Sequence, residues 1–354
     1  MLPARYKILS GNTQFGGYGT IEAVHDTFLD RAVIFKSMQD PANNSQLLNE
    51  LRHLSRTRSR HVVEIYDVIF DDAGVTQGII IERLAGRDYS SFYLAAAGNI
   101  HEYIKTLYQI ATALADLHEQ GIVHRDLKLD NFKDSAAGIL KLYDFGISTA
   151  DSNYRTVNNR GTLVYAAPEL WEEGVRITPA MDIYALGICA WALASQVFPS
   201  QLLQMPPQSQ GLAPSIKTIL PGLPDETVGL IDSCLSVKPA LRPDAREFSD
   251  LFGRCLVRNQ HKGLFVVGQR QIYELTFQNR NVTVSLGWLG AIRVDYNGLD
   301  FEVVSVIGDI YINNTVLLPG AKLPEACVLT FGRPQLRSSR EWVTFASSRP
   351  EVVL

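Results

Sequence analysis

The chain has 354 residues, of which 46% are hydrophobic and 20% are charged, a composition typical of folded globular domains rather than disordered chains. Its length suggests two domains, or three small ones. The formal net charge of −4 argues against nucleic-acid binding, because a phosphate backbone requires a concentrated basic surface. Arg56, Arg58 and Arg60 form the densest basic stretch, which is either a solvated helix end and loop or a local docking or phosphate-binding patch.

Apolar runs and cysteines indicate where the protein resides. The apolar run from Ile183 to Val197 is shorter than the roughly 18 residues of a membrane span, so we expect a buried helix there. The N-terminus lacks the apolar core of a signal peptide. No CxxC pair occurs, which favours reduced, buried thiols at Cys189, Cys234, Cys255 and Cys327. These features predict a cytoplasmic protein with no membrane partner.

The first 84 residues predict a small sheet and one helix. Short strands separated by glycine-rich or polar turns are expected at Tyr6–Leu9, Ile21–His25 and Ala32–Met38. A helix follows, because Asn or Ser at positions 43 to 45 can cap it and leucines then recur with helical spacing. Strands return at Val62–Phe70 and Gly78–Glu82.

From about residue 100 the apolar spacing becomes that of helices. A long helix is expected from Ile100 to Leu117, ended by Gly121. Further helices are predicted at about 182–196, 225–236 and 244–257. The many Pro, Gln and Gly residues between 198 and 224 indicate an irregular surface connection.

After about residue 262 the pattern becomes that of an all-β domain. Apolar residues alternate with polar ones at Tyr273, Leu275 and Phe277, at Val282, Val284 and Leu286, and later at Ile310 and Ile312. Turns are expected at Asn297-Gly298, Gly308-Asp309 and Pro319-Gly320.

Four motifs contain the residue types that phosphoryl transfer requires. Residues 124–131 read His-Arg-Asp-Leu-Lys-Leu-Asp-Asn, and residues 144–146 read Asp-Phe-Gly. Earlier in the chain, glycines occur at 16, 17 and 19, and Val33-Ile34-Phe35 precedes Lys36. A phosphotransferase must hold a triphosphate, bind magnesium and orient a hydroxyl. In their order over about residues 6–257, these motifs resemble those of the protein kinase family.

The resemblance implies a role for each polar residue of the two later motifs. Asp126 would orient the substrate hydroxyl and accept its proton. Lys128 would neutralise the transferring γ-phosphoryl group, and a lysine at this position resembles serine/threonine rather than tyrosine kinases. Asn131 and Asp144 would hold magnesium, with manganese as an alternative.

The resemblance also implies an ATP site. Lys36 would pair with the α- and β-phosphates and with Glu50 on the predicted helix. The remaining nucleotide contacts would come from Gly16, Gly17, Gly19, Ile21, Ile34 and the backbone of Glu82 and Leu84.

Three positions depart from the family pattern around that site. Gln14 replaces the first glycine of the loop, Ile34 replaces the usual alanine above the adenine, and Lys133 falls where an apolar residue usually lies below it. Because adenine binds in an apolar slot by shape and dispersion, Ile34 and Lys133 predict weaker or altered nucleotide affinity. Gln14 would hinder close approach to the phosphates at its end of the loop. A one-residue shift to Phe132 would restore the apolar floor.

Other motif residues are expected to be structural or regulatory. Glu169 would pair with Arg242, Asp182 would bind the backbone of the 124–131 loop, and His124 would pack and form hydrogen bonds rather than catalyse. Arg125 resembles an arginine that pairs with a phosphorylated activation loop, for which the favoured phosphosites are Thr156 and Ser152. The alternative is that both are ordinary polar loop residues.

Residues 262–354 resemble a degenerate forkhead-associated domain, a β-sandwich that reads phosphothreonine. The resemblance rests on Leu286-Gly287-Trp288, Gly308 to Asn314, and Leu329 to Gly332. Trp288 stands where this family has a phosphate-binding arginine, so charge-assisted phosphate recognition is not expected. The alternative is a β module that docks proteins or braces its neighbour.

Together these observations predict an α+β chain with a two-lobed protein kinase fold followed by a small all-β, sandwich-like domain. The predicted boundaries are 1–84, 85–260 and 262–354. The expected function is ATP- and Mg²⁺-dependent phosphorylation of protein serine and threonine, with autophosphorylation. The alternative is a pseudokinase or nucleotide-binding scaffold whose β domain mediates protein interactions. The complete set of catalytic polar residues favours the enzyme.

Overall fold

An antiparallel sheet, a mainly helical region and a β-sandwich follow one another along the chain. The computed structural model describes residues 2–15, 19–38, 52, 55, 58–89, 98–145, 163–268, 271–348 and 350–353. It divides into two units, Met1–Phe252 and Gly253–Val353. Five of the residues that the sequence assigns to the site or to phosphorylation lie outside the described residues: Gly16, Gly17, Glu50, Ser152 and Thr156.

The N-terminal sheet has five described strands in the order β1-β2-β3-β5-β4. Their bounds are Tyr6–Phe15 (β1), Gly19–Asp26 (β2), Arg31–Met38 (β3), Ile65–Phe70 (β4) and Thr76–Glu82 (β5). Alternate residues of β3, Val33 and Phe35, are buried with Tyr6, Val24 and Ile80 on one face. The other face therefore carries Ile34 and Lys36.

The helical region contains α1 (Ile100–Glu119), α2 (Pro179–Ala194), α3 (Asp225–Cys234) and α4 (Ala245–Leu256). The Asn99 side chain caps α1 by accepting a hydrogen bond from the Glu102 N–H at 3.2 Å. Gly121 lies just beyond this helix with φ +71°, a conformation that glycine adopts without strain. Between α1 and α2, a hairpin of β6 (Phe132–Asp134) and β7 (Leu140–Leu142) supports the loop that precedes it.

Helix α2 is buried along almost its whole length, as the uncharged run from Ile183 predicted. It starts at Pro179, three residues earlier than expected, because proline fits the first helical turn, where its missing N–H costs no hydrogen bond. In the described part of the chain, no helix combines the length and hydropathy needed to cross a membrane.

The second unit is a β-sandwich of two antiparallel sheets. One sheet has the order β10-β11-β12 and the other β14-β13-β15-β16-β8-β9. The strands are Gly263–Val267 (β8), Gln271–Leu275 (β9), Asn281–Ser285 (β10), Ala291–Tyr296 (β11), Phe301–Ile307 (β12), Ile310–Ile312 (β13), Thr315–Val316 (β14), Ala326–Phe331 (β15) and Glu341–Ser347 (β16). Its core is rich in aromatic rings, including the mutually packed Phe265, Phe301 and Phe345.

The predicted turns of this unit are confirmed, whereas two strand ends are corrected. Gly298, Gly308 and Gly320 all have positive φ, which explains glycine at each turn. Phe277 and Leu286 were expected to continue β9 and β10, but both lie beyond the strand ends. Phe277 instead faces solvent, beneath the Arg280 guanidinium. The fold class is thus confirmed as a mixed helix and sheet region followed by an all-β region.

The burial predicted for the four cysteines is seen at three of them. Cys189, Cys234 and Cys327 are buried, and Cys255 is half-buried. Burial raises the pKa of Cys327 to about 11, so this thiol stays protonated and unreactive near neutral pH.

Candidate active site

The loop before β6 gathers two of the predicted site residues, Lys128 and Asn131, around Asp126. Lys128 Nζ donates a hydrogen bond to Asp126 Oδ2 at 2.8 Å. Asn131 Nδ2 donates to the Asp126 carbonyl oxygen at 2.7 Å and lies 3.3 Å from Oδ2. Residues Leu129–Asn131 form a single 3₁₀ turn, which is what brings Asn131 back toward Asp126. The carboxylate is thereby oriented by its own loop.

A buried carboxylate on α2 holds the backbone of this loop. Asp182 accepts hydrogen bonds from the N–H groups of His124 and Arg125, both at 2.8 Å. His118 Nε2 lies 2.9 Å from the same carboxylate. Burial raises the pKa of Asp182, but its hydrogen bonds with His118 and Arg125 outweigh that effect and leave the pKa below its ordinary value.

Two residues of the site have a backbone conformation that side chains disfavour. Arg125 has φ 72° and Asp144 has φ 67°, both in the left-handed region. Such a conformation costs about 1–2 kcal/mol for a residue with a Cβ. Both lie next to hydrogen-bonded or buried neighbours, and strain of this kind is typical of functional sites, where the surroundings enforce the geometry.

His124 packs as expected, but the predicted side-chain hydrogen bonds are not seen, because neither ring nitrogen has a partner among the described residues. Its ring is completely buried and meets Phe145 edge-on, with ring centroids 5.0 Å apart. Burial lowers the pKa of His124, so the ring is neutral near pH 7. The contact joins the 124–131 loop to the Asp-Phe-Gly motif through an apolar connection.

Asp144 also meets the lysine that the sequence placed at the phosphates. Lys36 Nζ lies 3.2 Å from Asp144 Oδ1, although 108 residues separate them along the chain. The N-terminal sheet and the β6–β7 hairpin therefore converge at this point. Glu50, the other predicted partner of Lys36, lies outside the described residues.

The predicted nucleotide residues on the sheet share one face. Ile21 on β2 pairs directly with Lys36 on β3, and Ile34 pairs with Ala23 and Ile81 on the strands either side. Paired residues of an antiparallel sheet project to the same side. Ile21, Ile34 and Lys36 are all half-buried, so this face forms an apolar surface with one cation near its end.

The segment after β5 is anchored by a lysine that sequence reasoning missed. The Glu82 N–H donates to the Glu64 carbonyl oxygen at 2.9 Å, and the Glu82 carboxylate pairs with Lys141 Nζ at 2.7 Å. Lys141 lies on β7 and its side chain is 7% exposed. No local sequence signal separates such a lysine from an ordinary surface lysine on a strand. Leu84, the other predicted hinge residue, is half-buried.

The β6–β7 hairpin places Phe132 and Lys133 differently. Phe132 is completely buried in the core, whereas Lys133 is half-buried and pairs across the hairpin with Lys141. Lys133 also forms a backbone bridge with Asp88. The position of Lys133 below the adenine and its weakening of nucleotide affinity stay predictions, as does the alternative in which Phe132 takes that place.

The predicted pair of Glu169 and Arg242 forms in full. Arg242 donates to both Glu169 oxygens, at 2.7 and 2.8 Å, and to the carbonyl oxygens of Ala180 and Ser236. The Arg242 side chain is completely buried. These contacts stabilise the helical region, because they join Arg242 to residues of that region and to none of the residues around Asp126.

Asn131 and Asp144 offer oxygen ligands of the kind that magnesium prefers. The Asn131 amide nitrogen is already bonded to Asp126, which leaves its Oδ1 as the ligand atom. Within the described ranges, no group of three or more His, Cys, Asp or Glu side chains could hold a metal ion unaided. A magnesium ion that arrives with nucleotide phosphates would need only a few protein ligands, so the residues present fit it.

The second unit has its own cavity, of about 260 Å³, at the loop end of the sandwich. It is lined by Trp288, Gly308, Asp309 and Arg333 among others. Arg333 Nε donates to Asp309 Oδ2 at 2.6 Å, so these opposite charges compensate one another. The Trp288 side chain is 76% exposed beside them.

Comparisons with known proteins agree with this geometry. The protein kinase domain family matches residues 15–251. The chain is 34% identical over 193 residues to the serine/threonine-protein kinase drp72 of Corynebacterium efficiens, covering 51% of this chain and 37% of that protein. Over 246 residues it is 30% identical to the serine/threonine-protein kinase PrkC of Bacillus subtilis, covering 66% and 37% respectively.

A third relative is the serine/threonine-protein kinase ksp1 of Schizosaccharomyces pombe, which is 30% identical over 263 residues and covers 65% of this chain and 53% of that protein. The chain thus spans about half or less of the length of these relatives. Since the family match extends over more than half of the chain and includes all the motifs above, the chain belongs to the protein kinase family.

Proposed function

We propose that this chain is a serine/threonine protein kinase that transfers the γ-phosphoryl group of ATP to protein hydroxyls and to itself. The observation that carries the proposal is the arrangement of Lys128 and Asn131 around Asp126. Three residues within six positions provide a base, a cation and a metal ligand, and phosphoryl transfer requires mainly positioning and charge neutralisation. The names of drp72 and PrkC support the same assignment.

The residues of the site have separate roles in the proposed reaction. Asp126 accepts the hydrogen bond, and then the proton, of the substrate hydroxyl. Lys128 Nζ, held 2.8 Å from that carboxylate, approaches the transferring phosphoryl group from the same side. Lys36 Nζ binds the inner phosphates, and its position 3.2 Å from Asp144 connects phosphate binding to metal binding. Magnesium, when bound by Asn131 and Asp144, neutralises the charge of the triphosphate.

Membership of the kinase family supports Mg²⁺ or Mn²⁺ as the metal and proteins as the substrates. We also propose that the protein acts in the cytoplasm. Backbone groups of Glu82 and Leu84 bind the adenine edge, and Glu50 pairs with Lys36. Thr156 and Ser152 are proposed as phosphosites, which mass spectrometry of the active protein can check.

Incubation with radiolabelled ATP and magnesium tests the proposal. Wild-type protein should label itself or a generic protein substrate, whereas Asp126→Ala and Asp144→Ala should lower the rate at least ~10³-fold, because each removes a group that acts in the transition state. Asp130→Asn is the matched control, because Asp130 is an exposed carboxylate on the same 3₁₀ turn and should leave the rate within about twofold.

A nucleotide-binding titration distinguishes the alternative function. If wild-type protein binds ATP but transfers no phosphate to any protein, the scaffold interpretation replaces the enzyme. The same titration addresses Ile34 and Lys133, since ordinary ATP affinity would contradict the predicted weakening.

A further inference from the structure

The six-stranded sheet of the second unit has an outer face without charge at its centre. Its outward residues on β15, β16 and β8 are Ala, Val, Thr, Trp and Leu at every described position. Trp342 is 65% exposed, and Val328 and Leu264 are each about 40% exposed. Ile272 on β9 and Val316 on β14 extend this surface to both edge strands. We call it the apolar sheet face.

The strand sequences themselves are typical of strands covered on both sides. Leu264 to Val267 and Ala326 to Phe331 are nearly continuous apolar runs, rather than the alternating pattern of a sheet with one side in water. In the other sheet of the same sandwich, β10 and β11 show that alternating pattern, whereas a bulge interrupts the pairing of β12, which exposes Val304 and Ile307. Unlike the apolar sheet face, this outer face also carries charges, in an Arg293–Asp295 ion pair at 3.2 Å and in Glu302.

Charged groups surround the apolar sheet face instead of crossing it. The Arg340 guanidinium lies 5.2 Å from the Tyr311 ring at one side. Lys262 and Glu274 approach each other within 3.9 Å at another. An uncharged centre with a polar rim is the composition of protein–protein interfaces. A strongly charged partner would find no complementary group at the centre.

The area of the apolar sheet face can be compared with the area that protein–protein interfaces bury. The six strands have between two and seven residues each, so at about 3.3 Å per residue and about 4.8 Å between strands they cover roughly 450 Å² per molecule. Two copies would bury roughly 900 Å², slightly less than a stable specific interface requires, which is the size of a weak, transient contact. We propose that the apolar sheet face binds the same face of a second copy of this chain, around a two-fold axis. An uncharged surface meets its own copy without like-charge repulsion, and the small area predicts a dimer that dissociates in the micromolar range.

Sedimentation velocity of the full chain, over a rising concentration series without ATP, tests the proposal. Wild-type protein should pass from monomer to dimer, and the double variant Val328→Glu/Trp342→Glu should dissociate at least about tenfold more readily, because the dimer would bury unpaired carboxylates. Thr283→Glu adds one carboxylate to the other outer face and should dimerise as wild type does. Omitting ATP separates this result from the proposed kinase activity.

Hydroxyl-radical footprinting of wild-type protein gives a second readout that requires no variant. Trp342 should become protected as concentration rises, while Trp288, at the loop end, should stay reactive. A wild type that is monomeric up to ~100 µM would overturn the proposal, as would a dimer that the double variant leaves intact. Protection of Trp342 in the monomer would also overturn it, because another part of the same chain would then cover the face.

Discussion

The 124–131 loop and the loop end of the β-sandwich each place one carboxylate beside one cation, yet they differ in what surrounds the pair. Asp126 receives Lys128 and Asn131, and its loop is held by the buried Asp182. Asp309 and Arg333 pair at the surface, next to an exposed Trp288. The first carboxylate is oriented by several buried contacts, whereas the described partner of the second is one exposed arginine.

The residues that stabilise a fold differ from those that form a functional site. The sandwich has an aromatic core and glycines at its turns, and these residues stabilise its topology. A function requires specific polar groups as well, and a fold alone does not supply them. The kinase unit has both, so changing its polar groups should affect stability and activity, whereas in the sandwich the core and turns should matter most.

The largest effect is expected at the buried pair of Arg242 and Glu169. Arg242→Met leaves Glu169 without its two charge-assisted hydrogen bonds in a site with almost no solvent, which should lower the free energy of unfolding of the first unit by about 3–5 kcal/mol. Urea denaturation of the full chain measures it. Arg246→Met is the matched control, because Arg246 is 42% exposed beside Asp116 and Glu119, and should cost less than about 1 kcal/mol. Equal costs for both variants would contradict the structural role of the buried pair.

A smaller effect is expected at a turn of the sandwich. In Gly308→Ala the new Cβ would lie 2.7 Å from the Leu289 carbonyl oxygen, in a residue with φ +88°. We expect a loss of about 2–4 kcal/mol, from backbone strain and from displacement of the neighbouring backbone. Gly320→Ala has φ +86° but no atom within 4 Å of the new Cβ, so strain alone should cost about 1 kcal/mol. Thermal unfolding of the second unit should rank them in that order, and the opposite ranking would show that steric contact is unimportant.

A pH effect is expected at the edge of the N-terminal sheet. Arg5 donates two hydrogen bonds to Asp26, which lower the pKa of that carboxyl to about 2. Because the folded pKa lies below the unfolded value near 4, the stabilisation is present above pH 4 and is lost as pH falls toward 2. The stability difference between wild type and Asp26→Asn should therefore be constant from pH 5 to 7 and shrink between pH 4 and 2. A difference that persists at pH 2 would contradict the assignment.

Local motifs explain why much of the site could be predicted. Asp126, Lys128 and Asn131 lie within six residues, so one loop conformation brings them together. The contacts of Lys141 with Glu82 and of His118 with Asp182 were missed, because each joins elements distant in sequence. A buried lysine on a strand has the same sequence context as an exposed one, and the difference arises from tertiary packing.

Element ends were less predictable than the elements. The expected strand Val62–Phe70 begins at Ile65, because Val62 instead bridges β7 at Leu142. Such a bridge depends on an element 80 residues away, which no local pattern indicates. The apolar sheet face was missed for a related reason. Continuous apolar strands indicate burial on both sides, but the sequence does not say what covers the second side.

The smallest effect is expected for phosphopeptides at the loop end of the sandwich. A phosphothreonine there would have to displace the Asp309 carboxylate from Arg333. The displaced carboxylate would then repel the phosphate, because both are negatively charged. Calorimetric titration of the full chain should therefore show phosphothreonine peptides binding within about twofold of their unphosphorylated counterparts. Asp309→Asn is the informative variant, because it removes the competitor while keeping Arg333, and it should strengthen phosphopeptide binding if Asp309 is what blocks it. A preference of tenfold or more in wild-type protein would instead show that the sandwich binds phosphate with Trp288 rather than an arginine at this position. The two loops would then differ in geometry and not in whether they can bind a phosphate.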